Sequence, residues 1–286
     1  MRALQRLRWC PSRQMMSRNS SSSNVRFVQD IFTRVSNKYD VMNDVMSGGI
    51  HRLWKDLFVQ RLAPTSETRL LDVAGGTGDI SFRFLRYLLA AEREISLSNV
   101  KVSVCDLNPD MLAVGRRREI EQGYAPGNEC VQKLMSIHFV LAIKWIEGNA
   151  ESLPLDDNSF DAYTIAFGIR NVSNIPKALR EAYRVLVPGG RFMCLEFSRV
   201  KNPLLQRLYT TYSFEIIPIL GEIIAEDKAA YRYLVDSIAA FPDQDTFAEM
   251  IREAGFKAVN WENLSGGIAA IHSAYKFADT SQTAQS

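Results

Sequence analysis

From about Arg69 onward, short apolar runs alternate with amphipathic stretches, and this alternation restricts the fold more than any other feature. RLLDVAG (69–75), VKVSVCDL (100–107), KWIEG (144–148), FDAYTIAFG (160–168) and GRFMCLEFS (190–198) read as buried strands. Between them, residues 79–92, a segment opening at Asn108-Pro109, and IPKALREAYRVL (175–186) carry apolar residues at helical spacing. Asn108 suits a helix cap and Pro109 a first helical turn. Strands separated by helices need crossover connections, which predicts a mainly parallel sheet covered on both faces. After the helical DTFAEMIREAGF (245–256), KAVNWENL (257–264) and IAAIHSAYKF (268–277) flank Ser265-Gly266-Gly267. They read as a closing hairpin that adds an antiparallel strand.

The first strand runs into LLDVAGGTGDI (70–80), a strand, a glycine turn and a helix start. Gly75, Gly76 and Gly78 allow positive φ and close approach of a ligand to the backbone. The helix start offers free amides. The spacing departs from the dinucleotide fingerprint GxGxxG: counting from Gly76, the third glycine falls at Ser81. That disfavours a pyrophosphate and hence a nicotinamide oxidoreductase. The second strand ends in Asp106, a carboxylate able to take both hydroxyls of a ribose. The third is followed by Asn149-Ala150, a pair able to meet an adenine edge. Three strand ends in order therefore suit an adenosyl ligand without phosphates.

Other features bound the class. Net charge is +2, which gives no electrostatic reason for a nucleic-acid partner. Arg2, Arg6, Arg8, Arg13, Arg18 and Arg26 all precede the first acid, Asp30, and enclose the serine run 20–23. Arg-rich, Ser-rich and acid-free is the description of a mitochondrial transit peptide, expected over 1–24. The four cysteines are scattered without CxxC spacing and the three histidines do not pair, so no metal is expected. No apolar run reaches the roughly 18 residues that span a bilayer. Residues 130–148 hold more apolar side chains than the approach to a middle strand needs. A helix on the sheet and a surface insertion both stay open for them.

YDVMNDVMSGGIHRLW (39–54), RVLVPGGRFMCLEFS (184–198), AFGIRNV (166–172) and 231–256 resemble the ubiquinone/menaquinone biosynthesis C-methyltransferases, over about residues 27–277. The resemblance implies an α/β class I S-adenosylmethionine-dependent methyltransferase: a Rossmann-like seven-stranded sheet with its last strand antiparallel, a helical N-terminal cap and a helical insertion. The expected division is 1–24 transit peptide, 25–65 substrate cap, 66–278 methyltransferase domain with an insertion at about 203–240, and 279–286 disordered tail. Its donor contacts carry over to Thr77, Asp106, Asn149 and Ala150. A serine contact common in bacterial members is replaced here by Ala166.

The implied reaction is ring methylation of 2-methoxy-6-polyprenyl-1,4-benzoquinol in ubiquinone (coenzyme Q) synthesis. A phenol has a pKa of about 10, so the site must favour the phenolate or remove its proton during the reaction. Arg170 and Tyr39 are the expected catalytic residues, with Asp40 and His51 against the substrate. A guanidinium is too basic to act as a free base, so Arg170 is expected to stabilise phenolate charge or orient a water. Ser47-Gly48-Gly49 is expected to turn the N-terminal segment over the pocket mouth, with Trp54 as its anchor. The greasy 203–225 reads as a lid or an interfacial helix. The resemblance further implies a peripheral place on the matrix side of the mitochondrial inner membrane. It implies partners among other coenzyme Q proteins in a multi-subunit complex, and a homodimer is compatible with it. Competing readings are an O- or N-methyltransferase of another small molecule and a non-catalytic scaffold of that complex.

Overall fold

The computed structural model describes Asp44, residues 47–91, 100–124, 143–201, 203, 206 and 228–278. The N-terminal stretch with Tyr39 and Asp40, most of 130–148, most of 203–225 and the tail lie outside the described residues. Seven strands form one sheet: β1 (Arg69–Val73), β2 (Lys101–Asp106), β3 (Lys144–Glu147), β4 (Phe160–Ala166), β5 (Leu186–Phe197), β6 (Lys257–Leu264) and β7 (Ala269–Tyr275). Their order is β3-β2-β1-β4-β5-β7-β6. β1 to β5 pair parallel, and β7 lies antiparallel between β5 and β6. The chain therefore reverses direction across the sheet between β1 and β4, where loops diverge and leave a crevice at the strand ends.

Six α-helices, α1 (Ile50–Leu62), α2 (Asp79–Ala91), α3 (Pro109–Glu121), α4 (Ile175–Val185), α5 (Lys228–Ala240) and α6 (Gln244–Glu253), and two 3-10 turns, Ile169–Asn171 and Ser265–Gly267, complete the described elements. Adjacent strand residues point to opposite faces. Leu70, Val104 and Met193 enter one core with Trp54, Phe58, Phe84 and Leu88. Their neighbours Leu71, Cys105 and Cys194 enter the other with Leu179, Phe247 and Ile251. Both faces are covered, which is why the strands read as unbroken apolar runs. Asn108 caps α3, its Oδ1 accepting the amides of Asp110 and Met111 at 2.9 and 3.2 Å.

The boundaries differ from the sequence expectation at β5. The strand begins at Leu186, directly after α4, rather than at Gly190. Against β4 the register jumps from Phe160↔Leu186 to Ala162↔Arg191. The Pro-Gly-Gly run bulges there and stays bonded to the far end of β7: Gly189 donates to the Lys276 carbonyl at 2.6 Å, and Lys276 donates to that of Gly190 at 3.0 Å. It is a bulge inside a strand rather than a loop between elements.

Candidate active site

Gly48 and Gly49 have φ of 58° and 79°, so the turn before α1 falls where the sequence placed it. From there α1 buries His51, Trp54, Lys55, Phe58, Val59 and Leu62. Trp54 Nε1 donates to Ser265 Oγ at 3.0 Å. Its ring lies 6.3 and 6.4 Å from those of Phe167 and Phe197. The anchoring role expected of Trp54 is thus visible. His51 points elsewhere: its Nδ1 is 2.8 Å from Ser47 Oγ, and burial lowers its pKa to about 4. It is not among the residues lining the cleft described next.

A cleft of about 1150 Å³, its open mouth included, runs along the carboxyl ends of β1, β2 and β4. The described residues lining it include Gly75, Gly76 and Thr77, Asp106 to Asn108, Gly148 to Glu151, and Ala166 to Gly168. Asp106 ties two loops together. Its Oδ2 accepts the Gly76 amide and its Oδ1 the Asn108 amide, both at 2.8 Å. Burial raises its pKa while those amides oppose the rise. Thr77 is buried and its hydroxyl accepts from Arg118 at 2.9 Å. Asn149 Oδ1 accepts the Glu151 amide at 2.9 Å, so the pair Asn149-Ala150 is held as a small turn beside Asp106.

The glycines divide by role. Gly76, at φ 56°, turns its amide onto Asp106. Gly78, expected in the donor site, does not line the cleft. It has φ 82°, and a Cβ there would lie 2.6 Å from the Trp145 ring. Close packing against Trp145 of β3 and Phe82 of α2 requires a glycine here.

Arg170 also departs from expectation. It sits on a single 3-10 turn, Ile169–Asn171, and is absent from the cleft lining. Its guanidinium is paired with Glu196 at 2.9 Å, with side-chain exposures of 5% and 1%. Nη1 also donates to the Phe167 carbonyl at 2.5 Å, and the group lies 5.5 Å from the Phe197 ring centre. Glu196 captures the guanidinium because a buried carboxylate needs a partner more than an open cleft does. What Arg170 does in this arrangement is fix the turn whose Gly168 and Asn171 face the cleft.

Two residues that sequence reasoning missed do line it. Lys55 from α1 donates to Asp79, in the first turn of α2, at 2.7 Å. Arg83 holds the other oxygen of Asp79 at 3.0 Å. Burial pushes the Asp79 carboxyl up, but Lys55 and Arg83 outweigh it and hold the pKa well below the usual carboxylate range. The only sequence signal for Lys55 was its place four residues after His51, on the buried face of α1. At the floor, Asp72 accepts from Ser81 Oγ and Thr164 Oγ1, each at 3.0 Å, and burial raises its pKa to about 7.

The charges identify the ligand class. Among the described residues lining the cleft, the ionisable groups are Asp72, Asp79, Asp106, Glu151 and Lys55. With Asp79 paired to Lys55 and Arg83 and the Asp72 pKa raised to about 7, the lining has no surplus of cations for a pyrophosphate and suits an adenosyl ligand bearing positive charge. S-Adenosylmethionine, with a sulfonium, an ammonium and a single carboxylate, fits: Asp106 can take the ribose and the Asn149-Ala150 turn the adenine. Fold and site define a class I S-adenosylmethionine-dependent methyltransferase.

Comparison with known proteins narrows this. A sequence model of the ubiE/COQ5 methyltransferase family matches residues 17–276, and the chain belongs to that family. It is 51% identical to a Bos taurus mitochondrial 2-methoxy-6-polyprenyl-1,4-benzoquinol methylase, covering 87% of this chain and 78% of that one. The Arabidopsis thaliana protein of the same name is 51% identical, with 88% and 85% covered. Among solved structures, a SAM-dependent methyltransferase from Thermotoga maritima, described as a possible histamine N-methyltransferase, superposes with TM-score 0.56 at 21% identity, covering 87% and 99%. The [4+2]-cyclase SpnF superposes with TM-score 0.57 at 17% identity, covering 88% and 96%. Such likeness establishes the fold, and a cyclase among the neighbours shows that the fold does not choose the reaction.

Proposed function

We propose that this chain methylates a ring carbon of 2-methoxy-6-polyprenyl-1,4-benzoquinol, a step of ubiquinone biosynthesis, with S-adenosylmethionine as donor. The observation that carries the reading is about 50% identity, over most of the chain, to methylases of that name in an animal and a plant. The acid-rich cleft supports the donor half of the reaction independently.

The donor supplies an electrophilic methyl on a sulfonium when bound. The chain supplies position and exclusion of water. Asp106 and the Asn149-Ala150 turn hold the adenosyl end, and Thr77 shapes the glycine loop. Phe167, Gly168 and Asn171 form the wall beyond Ala166, where an acceptor ring meets the cleft. Arg170 acts as a positioning residue, holding that wall through Glu196 and the Phe167 carbonyl. We assign Tyr39 and Asp40, which precede α1 in the sequence, to the acceptor side. Their part is to cover the ring and favour loss of its phenolic proton. The Arg-rich N-terminus supports a mitochondrial address. The prenyl tail calls for a peripheral site on the inner membrane, among other coenzyme Q enzymes. Among the described residues no helix is long and apolar enough to cross a membrane.

The test is product analysis with isotopically labelled methyl donor and a short-chain benzoquinol. Label on a ring carbon is expected, and label on oxygen overturns the reading. Asp106→Ala is expected to weaken S-adenosylhomocysteine about 100-fold or more, through loss of charge-assisted hydrogen bonds to the ribose. Tyr39→Ala is expected to keep donor affinity and lose methyl transfer. Full activity in that variant removes Tyr39 from the mechanism.

A further inference from the structure

The cleft's only lining cation, among the described residues, comes from outside the sheet domain's own loops. Lys55 belongs to the N-terminal helix α1, yet it reaches across to the first turn of α2. Its side chain is only 7% exposed. An ammonium carries three donors, and the contact to Asp79 uses one. Asp79 has a second cation in Arg83, at 3.0 Å, so its charge is not balanced by Lys55 alone. A lysine buried at a cleft wall, beside a carboxylate that already has another partner, carries a desolvation cost that the pair does not explain. The helix that bears it is fixed: Trp54, its neighbour in sequence, is bonded to Ser265 and packed on Phe167 and Phe197. The ammonium is therefore held in place before any ligand arrives.

The donor assigned above has one anionic group, the carboxylate of its methionyl end. That end also carries an ammonium. The cleft offers one cation and one carboxylate 2.7 Å apart, on two different elements, at the glycine-loop side of Asp106. We propose that Lys55 receives the donor's methionyl carboxylate while Asp79 faces its ammonium, which makes α1 part of the donor site as well as of the acceptor cover. This rests on the reading that the cleft holds S-adenosylmethionine.

Isothermal titration of the full-length chain separates this from a merely structural ion pair. The probes are S-adenosylhomocysteine and 5′-methylthioadenosine, which lacks the amino-acid end. Lys55→Met is expected to weaken the first about 10- to 100-fold, as for loss of a hydrogen bond to a charged group, and to leave the second within about twofold. Lys55→Arg is expected to restore part of the loss. Equal losses for both probes, or no loss for S-adenosylhomocysteine, overturn the assignment of Lys55. Should Lys55→Met not fold, the same ratio is read in Lys55→Met/Asp79→Asn against Asp79→Asn, the double variant having lost both charges of the pair. An added loss confined to S-adenosylhomocysteine supports the proposal, and none overturns it. A wild-type chain that binds neither probe overturns the donor reading itself, a result distinct from an altered ratio.

Discussion

Two ion pairs with a buried cation, Arg170–Glu196 and Lys55–Asp79, stand differently to the cleft. In the first, both side chains are almost fully enclosed and neither lines the cleft. In the second, the lysine is enclosed but the carboxylate keeps 27% exposure, and both residues line the cleft. Residue type alone suggests the opposite ranking, since an arginine after a strand end looks more catalytic than a lysine on a cap helix. The difference lies in what satisfies each cation. Glu196 and the Phe167 carbonyl both take Nη1 of the guanidinium, whose Nε is buried without a partner among the described residues, while the lysine shares its carboxylate with Arg83.

The largest effect is expected from breaking the enclosed pair. Arg170→Ala leaves Glu196 buried without its cation and should lower unfolding free energy by about 3–5 kcal/mol, measured by urea denaturation. Replacing both partners, as Arg170→Met/Glu196→Leu, should recover most of that stability. An Arg170→Ala chain with unchanged stability but no turnover would restore Arg170 to direct chemistry and erase the contrast.

The two carboxyls should also carry opposite pH signatures. Asp79 is depressed below its ordinary 3.8 by Lys55 and Arg83, against the opposing push of burial. A depressed carboxyl gives stability that is present above the unfolded pKa and lost as pH falls below it. The stability margin of wild type over Asp79→Asn should therefore shrink as pH drops from about 5 to 3. Glu196 is raised above 4.5 by burial, with Arg170 pulling the other way. A raised carboxyl stabilises below the unfolded pKa and loses that contribution as pH rises through the folded one. Wild type should lose ground to Glu196→Gln on going upward from pH 4.5, followed by thermal melting at stepped pH. Parallel pH curves for the two variants would show the pairs to be equivalent.

The smallest effect tests the anchor beneath the lysine. Ser265→Ala removes the acceptor of Trp54 Nε1 and should cost about 1 kcal/mol of stability. A matching loosening of S-adenosylhomocysteine, with 5′-methylthioadenosine unaffected, would sharpen the link between α1 and the donor's methionyl end.

The sheet was legible because its inner strands β1, β2, β4, β5 and β7 are largely buried on both faces and so write themselves as apolar runs, while the edge strands β3 and β6 are more exposed. The place of Asp106 in the cleft was legible because it ends a strand at the sheet's carboxyl edge; its bonds to the Gly76 and Asn108 amides were not. Gly78 was misassigned because close packing against an indole and close approach to a ligand demand the same missing Cβ. Lys55 was hidden because its carboxylate partner lies 24 residues away, brought near by a helix crossing that periodicity does not encode. Arg170 was overweighted because its buried mate, Glu196, lies on a neighbouring strand and looks from sequence like a strand terminus. The N-terminal run was legible only in part: its glycine turn and its Trp54 anchor are in place, while Tyr39 and Asp40 lie outside the described residues.

Trp145 has a consequence of another kind. Its indole donates to Glu119 at 2.7 Å and lies against Gly78, at the base of the loop that Gly76 ties to Asp106. A fluorophore thus stands against the glycine loop. With Trp54 kept as the anchor of α1, a ligand-dependent change in indole emission that disappears in Trp145→Phe would report binding beside that loop, without a dye and without turnover.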